Sequence, residues 1–307
     1  MKTGPTVLYD VPGPRARRRN LLYTLLFLTA LAAVVWWVTV SLADKNQLEW
    51  AKWAPFFTDP RVWETYVLPA LRNTVIAAAL AMVIALPLGA FLGISRLSDH
   101  RALRGAAGTV VEFFRAIPVL ILMLFANAAY SEFAAISPET RPLYAVVTGL
   151  VLYNASVLAE VVRAGILALP VGQTDAAKAI GMRKGQTMAY VLLPQSVTAM
   201  LPALVSQLVV IVKDTALGGA MLGFSELLAS VRPLSANYGA NTIACFTVVA
   251  VIFVILNFAL TTFASWLEGR LRRGKKSSGA VVGAGAVEEL ATPGEHLDGH
   301  DTPPRTR

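Results

Sequence analysis

Residues 74–92 read TVIAAALAMVIALPLGAFL, a stretch without a single charge. About 20 apolar residues in helical form cross the hydrocarbon core of a bilayer, so this run is read as a membrane span rather than as the core of a soluble domain. Cys245 to Leu260 is a second uncharged run of the same kind. Outward from these two, spanning stretches are expected at about 21–42, 67–95, 107–131, 143–167, 195–222 and 243–267. The fold class is therefore all-α, a polytopic bundle of five to six transmembrane helices.

Composition agrees. Of 307 residues, 55% are hydrophobic and 15% charged, with a mean hydropathy of +0.57, whereas soluble domains carry roughly a quarter charged residues. A water-soluble enzyme is excluded. The one cysteine, Cys245, rules out an intramolecular disulfide and a multi-cysteine metal site. His100, His296 and His300 lie far apart or in a polar tail, so no metal is expected.

The net charge of +8 could signal nucleic acid, but its distribution speaks of topology. Segments 1–20, 96–104, 163–190 and 269–307, on one side of the proposed spans, hold 19 of the 27 Lys and Arg residues. By the positive-inside rule both termini are expected in the cytoplasm, with no nucleic-acid partner. Five cations, from Lys2 to Arg19, precede the first span as in a signal peptide. The apolar run from Leu21 to Leu42 is too long for one, and is read as a retained anchor. Tyr23, Trp36, Trp37, Trp50, Trp53 and Trp63 mark expected interfaces. The chain thus divides into a basic cytoplasmic segment 1–20, a first span with its external loop 21–66, a bundle 67–268 and a tail 269–307. The tail after Lys276 and the first dozen residues have too little apolar surface to order. No internal repeat is visible, which disfavours inverted-repeat transporters.

Between spans four and five runs LPVGQTDAAKAIGMRKG, residues 169–185, within a loop 169–190. Pro170 suits a first helical turn, Thr174 can cap, Asp175 suits the positive end of a helix dipole, and Gly181 can close the helix with φ > 0. A short helix over Asp175–Ile180 follows, with small side chains at Ala176, Ala177 and Ala179 that admit another surface. Alone, this is an ordinary amphipathic connector.

Wider spacing adds more. Asp175-Ala176-Ala177, Gly181 and Val191-Leu192-Leu193-Pro194 resemble the EAA motif of binding-protein-dependent ABC importer permeases, with Asp for Glu and Val for Ile. Phe114-Arg115-Ala116-Ile117-Pro118, Tyr153-Asn154-Ala155, Glu160 to Ile166, Gly172-Gln173, Leu193 to Val197, Leu201 to Leu204 and Lys213 to Leu217 follow the order of the polar amino acid branch over about 68–268. Within it the chain is most similar to permeases of glutamate importers. The resemblance implies a prokaryotic plasma-membrane permease for a polar amino acid, glutamate, glutamine or aspartate. It implies two ATPase partners that carry ATP and Mg, a second permease subunit, related or identical, and an extracytoplasmic solute-binding protein. It also implies a coupling helix that seats on an ATPase, with Gly172, Asp175, Ala176, Ala177, Gly181 and Lys184 as its residues. No G-x-x-x-x-G-K-[ST] loop occurs, so this chain is expected to bind no cofactor and to hydrolyse no ATP itself.

Charges within spans are costly, which makes each a functional candidate. Glu112 with Arg115, and Glu160 with Arg163, can each meet on one helix face, as structural pairs or along the substrate path. Adjacent Lys213 and Asp214 point to different sides. With Thr215 they either line the path, meeting a substrate carboxylate, or form a helix-packing network. Arg72 and Asn73 are read as interfacial. Pro118, Pro194 and Pro202 are expected to kink or break helices. A gradient-driven secondary transporter would also account for intramembrane Glu and Lys but leaves the coupling motif without a role. A membrane-embedded enzyme lacks any paired aspartates or nucleophile-base spacing.

Overall fold

The computed structural model describes residues 13–276, and the side chains through residue 270. The expectations for the first dozen residues and for the tail after Lys276 lie outside the described residues. Helix α1 (Pro14–Asp44) is followed by the short turns α2 (Trp50–Trp53) and α3 (Pro55–Thr58). A π-turn, Val62–Val67, leads into α4 (Leu68–Ser95). Next come α5 (Arg101–Ala116), α6 (Val119–Phe133), α7 (Arg141–Leu167), α8 (Val171–Ala179) and α9 (Lys184–Gln186). A second π-turn, Thr187–Leu192, opens α10 (Leu193–Leu222), and α11 (Val231–Asn237) and α12 (Thr242–Lys276) complete the described chain.

Five of these segments are long and apolar enough to cross a membrane: Pro14–Asp44, Val62–Ser95, Arg141–Leu167, Lys184–Leu222 and Thr242–Arg270. The stretch expected as one span over 107–131 is instead two helices, α5 and α6, bent by 99° at Ile117–Pro118. The cause is local. Pro118 drives the residue before it out of helical space, and Ile117 sits at φ −93°, ψ 129°. Pro194 and Pro202 do not break the helical segment Lys184–Leu222: Pro194 follows closely on the π-turn Thr187–Leu192, and α10 continues through Pro202.

The core is the seam between α4 and α7, the most extensive helix pair. Along α4 the buried positions are Ala70, Thr74, Ala77, Ala78, Ala81, Ala85, Gly89, Gly93 and Ser95, all of them small and at steps of one, three or four as far as Gly93. Lipid offers apolar side chains nothing worse than another apolar side chain, so helices associate in it by close van der Waals packing, which small residues permit. The approach is extreme at the end near Ser95. A Cβ on Gly89 would stand 2.8 Å from the Ala155 carbonyl oxygen, and one on Gly93 2.5 Å from that of Ala159. The opposite face of α4 exposes Leu80, Val83, Ile84 and Phe91, the composition of a lipid-facing surface. Around the seam, α6 and α10 pack on α7, and α12 packs on α10. No residue of α1 is buried.

At the end of the bundle away from α8, polar ties join the loops. Asn73 Nδ2 donates to the Ser225 carbonyl at 2.8 Å, and the buried Thr74 hydroxyl accepts from Leu227 N at 3.1 Å. Arg72 is exposed on the same turn. Trp53 and Trp63 donate their indole N–H groups to the carbonyls of Gln47 and Phe56. Asp59 accepts from the Tyr238 hydroxyl at 2.6 Å, which holds the carboxyl below its usual range, helped by Arg61 N, and lifts the phenol to about 12.

Gly89→Ala is expected to destabilise the purified protein by about 1–3 kcal/mol in detergent melting, because the obstacle is backbone that cannot step aside. Gly105→Ala, in α5 with open space around it, should be neutral or stabilising by about 0.5–1 kcal/mol. For the Asp59–Tyr238 tie, a raised phenol pKa contributes stability below pH 10 that disappears as pH rises through 12. The lowered Asp59 carboxyl contributes stability that disappears in acid, below the ordinary carboxylate range. Tyr238→Phe should flatten both limbs of a melting-temperature profile against pH.

Candidate functional site

Helix α8 starts at Val171, four residues before the expected start. Pro170, at φ −56° and ψ 131°, is the N-cap, and no side chain caps. Thr174 therefore sits inside the helix rather than capping it, and Asp175 stands mid-helix and exposed instead of in the first turn. The close is as expected. Gly181 has φ +81°, Gly181 N bonds the Lys178 carbonyl at 2.9 Å, and Met182 N bonds that of Ala177 at 3.0 Å. This pair of bonds is a Schellman motif, which needs a residue comfortable at positive φ. Ala177 faces the bundle and is 4% exposed, while Gly172, Ala176 and Ala179 face outward. Two large apolar side chains, Val171 at 82% and Ile180 at 78% exposure, frame the outer surface.

Lys184 turns back on the bundle. Its Nζ donates to the Leu97 carbonyl at 2.8 Å and pairs with Asp99, in the loop between α4 and α5. That hydrogen bond holds the Asp99 carboxyl below its usual range.

The two expected i,i+3 pairs both form. Arg163 pairs with Glu160, and Arg115 with Glu112 at 3.7 Å. What joins them is Arg96, counted in the sequence only as a topology signal. Its guanidinium reaches Glu160 on α7 at 2.8 Å and Glu112 on α5 at 3.1 Å. Thus Arg115, Glu112, Arg96, Glu160 and Arg163 form one chain of charges at the α8 end of the bundle. The sequence signal for Arg96 is a cation just past the last residue of a span, where it can also meet the negative end of a helix dipole.

Lys213, Asp214 and Thr215 stand apart from this chain, on α10. Thr215 is fully buried and its hydroxyl donates to the Val212 carbonyl of its own helix at 2.7 Å. Asp214 is part-buried, whereas Lys213 is exposed and borders a cavity of about 260 Å³. Leu228 and Phe246 line both this cavity and a larger one of about 850 Å³, so the two adjoin. Arg232 lines the larger. Between α7 and α10 the buried Asn154 accepts from Gln207.

Sequence reading also missed Glu226. It is wholly buried beyond the end of α10, and its two carboxylate oxygens accept from Leu228 N and Ala229 N, each at 2.7 Å. Burial pushes its pKa up against these two bonds. The carboxylate fills the space that a side chain at Gly219 would need. A lone acid in an apolar segment four residues after the span was the available signal.

Residues 85–273 match the family described as binding-protein-dependent transport system inner membrane component. The chain is 44% identical over 241 residues to the glutamate transport system permease protein GluD of Corynebacterium glutamicum, covering 78% of this chain and 87% of that protein. Among solved structures, an amino acid ABC transporter crystallised with histidines is similar in fold, with a TM-score of 0.61, 24% identity and coverage of 71% of this chain and 98% of that one. The MetNI methionine ABC transporter in an inward-facing conformation gives a TM-score of 0.56 at 25% identity, covering 70% and 99%. The chain belongs to the family of multi-pass inner membrane components of binding-protein-dependent transport systems.

Proposed function

We propose that the protein is the membrane-spanning permease subunit of an ATP-driven importer for an acidic amino acid, glutamate or aspartate, or its amide. The observation that carries the reading is the α8 segment: a short outward-facing helix, closed by Gly181 and tied to the bundle through Ala177 and Lys184, in a chain akin to a glutamate permease. In this reading Gly172, Asp175 and Ala176, with the apolar Val171 and Ile180, present the surface on which an ATPase subunit seats. Two such subunits carry ATP and Mg, a second permease completes the pair, and a solute-binding protein delivers substrate at the opposite end. Both termini face the cytoplasm, as the Lys and Arg distribution favours.

Import needs a bias that a passive bundle lacks. ATP supplies it by binding one ATPase arrangement more tightly than the other, and α8 passes the difference to the spans. Lys213 and Arg232, at the adjoining cavities along α10, are the cations suited to a substrate carboxylate. Glu160, Arg163, Glu112 and Arg115 neutralise one another, which favours a structural role over substrate contact.

Tagged protein drawn from mild-detergent membranes is expected to bring down an ATPase bearing a phosphate loop. Glutamate uptake by the reconstituted complex should require ATP and the binding protein. Recovery of this chain alone, with uptake driven by an ion gradient, would replace the reading with a secondary transporter. Gly181→Val forces a β-branched residue to positive φ at a cost of about 1–2 kcal/mol, and should reduce binding-protein-stimulated ATP hydrolysis about tenfold. Normal stimulation in that variant would remove α8 from the coupling role. Lys213→Ala should lower uptake while assembly and ATPase recovery stay unchanged.

A further inference from the structure

Between the α8–α9 segment and the nearest helices, packing is incomplete. One cavity of about 460 Å³ and another of about 410 Å³ lie on either side of Lys184, and Leu97, Asp99 and Met188 border both. Across that gap Lys184 is the polar bridge, reaching the Leu97 carbonyl at 2.8 Å and the Asp99 carboxylate. As a source of stability the bridge counts for little, since Lys184 and Asp99 side chains are 52% and 80% exposed. Its geometry is another matter. Leu97 lies two residues past the end of α4 and next to Arg96, whose guanidinium grips Glu112 on α5 and Glu160 on α7. Glu160 in turn holds Arg163, one turn before α7 ends and the chain enters α8. The α8–α9 segment is thereby connected to α4, α5 and α7 through one short loop.

We propose that Lys184 is a strut that transmits movement of the α8–α9 segment to α4, α5 and α7 through Leu97, Asp99 and Arg96, and that it acts within this chain rather than by touching an ATPase. Lys184 is thus a positioning residue for the transport cycle. The inference rests on the reading of α8 as the ATPase-contacting helix.

The test uses the complete complex, permease with its ATPase and binding protein, in proteoliposomes, and measures solute taken up per ATP hydrolysed. Lys184→Met is expected to leave the melting temperature, ATPase co-purification and ATP hydrolysis near wild type while uptake per ATP falls about fivefold or more, the low end of coupling between sites. Lys184→Arg, which keeps the charge and a donor, should keep the ratio. Lys184→Glu should uncouple, and adding Asp99→Lys should restore at least about half of the ratio, as expected for residues that act as a pair. An unchanged ratio in Lys184→Met overturns the strut. So does a charge swap no better than Lys184→Glu alone, or loss of the ATPase from Lys184→Met, which would make Lys184 a docking contact. A wild-type complex with no binding-protein-stimulated hydrolysis would instead overturn the importer reading itself.

Discussion

Everything in the bundle is referred to one contact, the near-touching backbones of α4 and α7. Where Gly89 and Gly93 meet the carbonyls of Ala155 and Ala159, there is room for hydrogen and nothing larger. In water such a seam would be secondary to burying large side chains. In lipid, where the solvent is as apolar as the protein, contact density decides which helices associate, and small residues give the densest contact. The seam fixes α7, and α7 is the helix against which α5, α6 and α10 all pack. Its final turn also sets where α8 leaves the bundle.

Most polar ties gather at the two ends of the bundle, with the buried Asn154–Gln207 hydrogen bond between them, and the ends differ in kind. Away from α8, hydrogen bonds at Asn73, Thr74 and Tyr238 tie helix ends and loops together, the last of them to the Asp59 carboxylate. At the α8 end formal charges do the joining, with Arg96 serving two carboxylates on two helices. Arg suits this position because its two terminal nitrogens point apart in one rigid plane and so reach carboxylates on two different helices. The lysine is found where a flexible stem is useful, at Lys184, across a gap between loosely packed segments.

Much of this architecture was legible. The spans announced themselves because apolar runs of sufficient length have few alternatives, and the Gly181 close could be read because a positive φ after a short helix calls for glycine. The 99° bend at Ile117–Pro118 was only half legible: proline predicts interruption, but its angle is set by how α5 and α6 pack on α7. Thr174 misled because Pro170 can start a helix unaided, with no side-chain cap. Arg96 was hidden for a different reason. Its partners lie 16 and 64 residues away, on helices whose faces are set only after α4 and α7 have met. Thr215 stayed open between the path and helix packing because nothing in the sequence says that its face of α10 is the buried one.

Glu226 shows how far a single missing atom can reach. Its carboxylate lies where a Cβ on Gly219 would be, and its oxygens fasten the two peptide groups that start the next turn of chain. The end of α10 and the loop beyond it are therefore specified jointly by two positions seven residues apart. Neither can vary freely: a larger residue at 219 evicts the acid, and a different residue at 226 leaves either a void or two orphaned amides. A substitution at either position therefore asks for an accommodating change at the other.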